Sequence, residues 1–108
     1  MKTGKVVLHL TLKRRWFDLI SSGQKTVEYR EVKPYWMKRL MIDSGSLRQD
    51  FNEIHFRNGY AKDAPFMRVK FNHMTLYAKR FICPQNGEQI TADEYFLISL
   101  GPVLEVKA

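Results

Sequence analysis

From Lys5 to Lys13 apolar and polar residues alternate, with Val6, Leu8, Leu10 and Leu12 on one side and Val7, His9 and Thr11 on the other. A period of two is that of an extended strand lining a core, so the chain is expected to open on a strand. The period then changes: Trp16, Phe17, Leu19 and Ile20 fall at spacings of three and four while Arg14, Arg15 and Asp18 fall elsewhere, which predicts one short helix ending at Gly23. Alternation resumes from Lys25 to about Val32. Pro34 fits the first turn of a second helix, with Trp36, Met37, Leu40 and Met41 as its buried stripe and Lys38 and Arg39 outward, placed to cover an open end of the sheet.

Beyond the loop Ser44-Gly45-Ser46, Glu53 to Arg57 alternates again and should bury Ile54 and Phe56, with Asn58-Gly59 as a tight turn. Phe66 to Lys79 is long for one strand, and its apolar phase slips from odd positions (Val69, Phe71) to even ones (Met74, Leu76, Ala78), which predicts a bulge at Asn72-His73. A polar loop with Cys83-Pro84 and Asn86-Gly87 follows. Glu94 to Leu100 then reads as another strand, and Gly101-Pro102 as a break before a last short strand at Val103 to Val106. The expectation is an α+β fold in a single domain, residues 1–108: a small mixed β-barrel of about six strands with two short helices near the N-terminal half. The order excludes a parallel sheet with alternating helices.

Composition narrows the function classes. The chain has 108 residues, 44% hydrophobic and 13% aromatic, too apolar for a disordered segment, and no apolar run approaches the ~20 residues of a membrane span. With no signal-like stretch at the N-terminus and a single cysteine, Cys83, the expected setting is the cytoplasm. Eighteen basic against eleven acidic residues give a formal charge of +7, which favours phosphate-bearing partners. Neither a cofactor nor a metal is expected, since His9, His55 and His73 lie on separate segments without metal-ligand spacing. Gly23-Gln24-Lys25-Thr26 is not a phosphate-binding P-loop, because the glycine that motif needs five residues earlier is Asp18. No serine sits on the strained elbow of a Ser/His/Asp hydrolase.

The candidate chemistry lies in Gly23-Gln24-Lys25-Thr26-Val27-Glu28-Tyr29-Arg30. Gly23 can take the left-handed geometry that ends a helix. In the strand that follows, Val27 and Tyr29 share an apolar face while Thr26, Glu28 and Arg30 share a chemical one, Glu28 and Arg30 about 7 Å apart at roughly 3.3 Å per residue, with Lys25 at the mouth. A Glu and an Arg on one strand face are usually a solvated cross-strand ion pair of little energetic value.

These residues carry a resemblance. Leu10-Thr11-Leu12-Lys13, Trp16 to Arg30, Pro34-Tyr35-Trp36 with Arg39-Leu40, Phe56-Arg57-Asn58-Gly59-Tyr60 and Phe96-Leu97-Ile98-Ser99-Leu100-Gly101 together resemble the ASCH family, a branch of the PUA-like superfold, in a small stand-alone form. The resemblance implies a small β-barrel whose cleft, bounded by the first helix and the following strand, receives RNA or a nucleotide. Lys25, Glu28 and Arg30 match the family's polar positions. Lys25 and Arg30 would engage phosphate, Glu28 an exocyclic amino group, and Trp36 or Tyr35 a base by stacking. Lys13 and Arg57, in the flanking matched segments, complete the candidate nucleic-acid-binding set.

Some ASCH proteins resemble amidohydrolases of N(4)-acetylcytidine and others ribonucleases, so catalysis stays open, with Lys25 as base and Glu28 as proton shuttle. The amidohydrolase branch has a threonine three residues after its lysine, where this chain has Glu28. Thr26 is the nearest hydroxyl, and Glu88 or Glu94 would have to supply the later carboxylate. A third reading is a protein-interaction adaptor using the helix surface near Arg14 and Lys38.

Overall fold

The computed structural model describes residues 5–78, 81–83, 89–90 and 94–107. Its first strand, β1 (Val7–Thr11), buries Leu8 and Leu10, and helix α1 (Arg14–Ser21) buries Phe17 and Ile20. The helix stops at Gly23, whose φ of 83° is cheap only without a Cβ. The Gly23 amide donates to the Ile20 carbonyl at 3.0 Å and the Gln24 amide to the Leu19 carbonyl at 2.9 Å. This is the two-bond Schellman closure, and it turns the chain directly into β2 (Val27–Glu31).

Helix α2 (Pro34–Leu40) starts at its proline, as expected, but its stripe is narrower than the spacing predicts. Only Leu40 is fully buried; Trp36 and Met41 are half-buried against the core, and Met37 is exposed. With seven residues the helix has room for one turn of contact, so the stripe's remaining members lie at its margin.

β3 (Glu53–Arg57) runs parallel to β1, setting Leu8 beside Ile54 and Leu10 beside Phe56. The other neighbours are antiparallel: β3 with β4 (Phe66–Tyr77), β4 with β7 (Tyr95–Lys107), and β7 with β2. The sheet order is β1-β3-β4-β7-β2. Burial along β4 passes from Met67, Val69 and Phe71 to Met74, so the phase slip read at Asn72-His73 is present as a register shift between Phe71 and His73. Two further shifts precede it, at Arg68/Val69 and Val69/Phe71. Such irregularities increase local twist and bend a strand, and the five strands curl into a half-barrel around the core.

Two strand expectations are corrected. Gly101-Pro102 does not break the chain: β7 continues through it for 13 residues. A Cβ on Gly101 would lie 3.1 Å from the Lys70 carbonyl oxygen, so the glycine marks a close approach of two backbones inside a continuous strand. The count of about six strands therefore becomes five in the sheet, plus a two-residue ladder between β5 (Phe81–Ile82) and β6 (Gln89–Ile90) in the stretch read as a polar loop. Pro84, the Asn86-Gly87 turn and Glu88 lie outside the described residues, as does Lys79 at the end of the long predicted strand. No described helix is long and apolar enough to cross a membrane.

Candidate functional site

β1 and β2 are the two edges of the sheet, and curling brings them face to face. Among the described residues no backbone ladder closes the gap; a side chain spans it. Arg30 on β2 donates from Nη2 to the Thr11 carbonyl of β1 at 2.9 Å and to Glu28 Oε2 at 2.7 Å. Glu28 and Arg30 register with Ile98 and Phe96, both wholly buried, so the chemical face of β2 is turned inward. Val27 and Tyr29, on the face that alternation would assign to the core, are only half-buried.

Lys25 completes this group from below. Its Nζ lies 3.5 Å from Glu28 Oε1 and sits over the rings of Trp16 and Tyr29, at 4.9 and 5.1 Å from their centroids. The lysine side chain is 0% exposed and that of Glu28 6%, against 18% for Arg30. One carboxylate thus holds two cations in a nearly dry setting, and only the guanidinium reaches solvent. Thr26, the other hydroxyl-bearing candidate, passes its carbonyl to the Leu100 amide at 2.9 Å as the chain enters β2.

Two cavities meet at Arg30. The smaller, about 310 Å³, lies between the end of β1, α1 and β2, and takes in Lys13, Trp16, Glu28 and Glu31. The larger, about 490 Å³, opens beside it on the side of β1 and β3 that faces away from the core. Its cations are Arg30, Lys33 and Arg57, its aromatics Tyr35, Trp36 and Tyr60, and no carboxylate is among the described residues that line it. Arg30 lies 5.1 Å from the Trp36 ring, and Arg57 stacks on Phe66 at 4.6 Å. The Nε of Arg30 is buried and has no hydrogen-bond partner among the described residues.

The sequence-derived candidates therefore divide. Lys13, Glu28 and Arg30 line the smaller cavity; Arg30, Trp36 and Arg57 line the larger; Lys25 lies behind both. Glu94 is exposed at the start of β7. Spacing arguments missed the histidines. The parallel β1–β3 register sets His9 opposite His55, their rings edge to face at 5.5 Å, and both line the larger cavity. Forty-six positions separate them, and only the direction of strand pairing makes them neighbours; their matching places in two alternating strands were the available signal. His55 Nε2 lies 3.1 Å from Glu53 Oε1.

Glu53 is held by Lys5 Nζ at 2.8 Å and Arg68 Nη1 at 2.8 Å as well. These bonds, Lys5 first, then Arg68 and His55, pull its carboxyl from 4.5 down to about 2. The His9 imidazolium is disfavoured instead, first by partial burial, then by His55 and Arg57. Among the described residues no group of three or more histidine, cysteine, aspartate or glutamate side chains could hold a metal ion. Cys83 is buried and accepts a hydrogen bond from the Tyr29 hydroxyl at 3.1 Å. Comparison with protein-family models, with curated proteins and with solved structures finds no match to this chain.

Proposed function

We propose that this protein binds RNA or a nucleotide in the larger cleft, with Arg57, Lys33 and the solvent-facing part of Arg30 on phosphate and Trp36 or Tyr60 under a base. The observation that carries the reading is the composition of the cleft wall: three cations, two histidines and three aromatics with no carboxylate among them. Anions would enter such a wall against its cations, the nearest carboxylates, Glu28, Glu31 and Glu53, being paired to Arg30, Lys33 and His55, and unstacked bases find π-faces at its rim. The orphaned Arg30 Nε–H adds a buried donor, and leaving such a donor unsatisfied costs about 1–3 kcal/mol. A net charge of +7 draws polyanions to the surface generally. The resemblance of Trp16 to Arg30 to ASCH domains supports the same ligand class and a PUA-like descent for the half-barrel.

Binding is favoured over the amidohydrolase alternative by one feature. A lysine acting as base must touch its substrate, and the Lys25 side chain is enclosed by Trp16, Tyr29 and Glu28. Its role in the proposed function is to support Glu28, which in turn aims Arg30.

Binding of a fluorescent oligouridylate at increasing salt tests the reading. About three phosphate contacts on a single strand give a log–log salt slope near −2, so affinity falls roughly 20-fold between 50 and 200 mM salt. Replacing Arg57 and Lys33 by alanine should remove about two thirds of that slope. An unchanged slope would refute the placement in this cleft.

A further inference from the structure

We infer that the His9–His55 pair is a proton-coupled subsite for a phosphate monoester, so that the cleft takes up a terminal phosphate, on a nucleotide or at an RNA end, together with a proton. This rests on the cleft being the binding site, and adds to it which phosphate is selected. The pair is positioned rather than incidental. His55 is fixed by Glu53, which stays ionised and can only accept, so Nε2–H donates to it and Nδ1 is left on the opposite edge of the ring. His9 stands edge to face with that ring at 5.5 Å.

The charged and titratable groups around His9 come from every neighbouring element. β3 contributes His55 and Arg57, β2 Arg30, the start of α2 Lys33 and Tyr35, and the turn after β3 Tyr60. Lys5 and Arg68 reach His55 only through Glu53. Among the described residues no carboxylate lines the wall, so none there rewards a proton on His9, and partial burial, His55 and Arg57 all oppose one. A phosphate dianion reverses that local field. Phosphate monoesters have a second pKa of about 6 and are dianions at neutral pH, whereas the phosphodiesters of an RNA chain carry one charge each. The monoester therefore gains most from a histidine that protonates as it binds, which separates a terminal phosphate from an internal one.

The test compares a short oligouridylate with and without a 5′-phosphate, and UMP, from pH 8 to pH 5.5. The preference for the phosphorylated oligonucleotide should grow by more than about tenfold from pH 8 to pH 6, with a slope near one log unit per pH unit at pH 8, and flatten near pH 6, where the free phosphate begins to hold a proton of its own. Calorimetry in buffers of different ionisation heat should read close to one proton taken up per 5′-phosphate at pH 8. His9→Gln should abolish the pH dependence of the preference. In the unaltered protein, the NMR titration midpoint of His9 should rise on adding UMP. UMP binding with the same proton uptake identifies a free nucleotide as sufficient; uptake with the oligonucleotide alone identifies an RNA end. Equal affinity with and without the 5′-phosphate at every pH, or a preference indifferent to His9→Gln, overturns the subsite while the cleft reading stands. Failure of both oligonucleotides and UMP to bind overturns both.

Discussion

The two hollows that meet at Arg30 use the same residue types to opposite ends. At the back of the smaller one, inside its exposed rim of Lys13 and Glu31, the charges are buried and matched: Glu28 lies between Lys25 and Arg30, and burial makes each member depend on the others. In the larger one the cations stand toward solvent. Arg57 is exposed and lies over the Phe66 ring, and Lys33 has an exposed partner, Glu31, at 3.6 Å. Desolvation is the difference. A charge already stripped of water and paired has little left to offer a ligand, and its removal strands its partners. A charge still in water keeps its capacity to bind and contributes little to folding. The segment from Gly23 to Arg30 thus braces a cleft whose exposed walls lie mostly on other elements.

Substitutions can break that contrast, and their expected effects on stability fall in order. Glu28→Gln should cost the most, about 3 kcal/mol, because it leaves two cations facing each other without an anion in a dry setting. Thermal unfolding should show a Tm lower by roughly 12 °C. A loss below about 1 kcal/mol would mean that the triad is solvated and that the two hollows do not differ in kind.

Glu53→Gln comes next, at about 2 kcal/mol near neutral pH, through lost charge-assisted hydrogen bonds to Lys5, Arg68 and His55. Because the folded carboxyl titrates near 2 rather than 4.5, its stabilisation is complete above pH 4.5 and disappears as pH falls from there to 2. Urea unfolding at several pH values should show variant and parent converging over that interval. A difference constant with pH would assign the loss to packing.

Gly23→Ala should cost about 1 kcal/mol, since an alanine must be forced to a φ of 83° although the space around it is open. Chemical denaturation reads this directly, and a stabilised variant would show that the helix can end in another way. The smallest change in stability belongs to Arg57→Ala with Lys33→Ala, within about 0.5 kcal/mol of the parent. The same pair should lower oligouridylate affinity about tenfold at low salt, the inverse of the Glu28 pattern.

Much of the fold was legible because its signals are local. The alternation in β1 and β3, the glycine stop after α1, the proline start of α2 and the phase slip near Asn72 each follow from neighbouring residues, and each is present. The misreadings share a cause. Gly101-Pro102 looks like a break because its conformation, locally ambiguous, is settled by Lys70 on the neighbouring strand. The inward turn of Glu28 runs against the usual sorting of apolar from polar faces, and it holds because Lys25 and Arg30 come with the carboxylate.

The order of side chains along the backbone was enough to set where the elements from β1 to β3 lie, which faces of β1 and β3 are apolar, and that a lysine, a glutamate and an arginine come close in sequence after the first helix. Those features depend on contacts within a few residues, where covalent geometry leaves few choices. Tertiary structure alone decided that β1 and β3 run parallel, so that His9 meets His55, and that the free edges of the sheet curl close enough for Arg30 to join them. Strand direction, register and curl are settled by packing summed over the whole core, and no short stretch of the chain contains that sum.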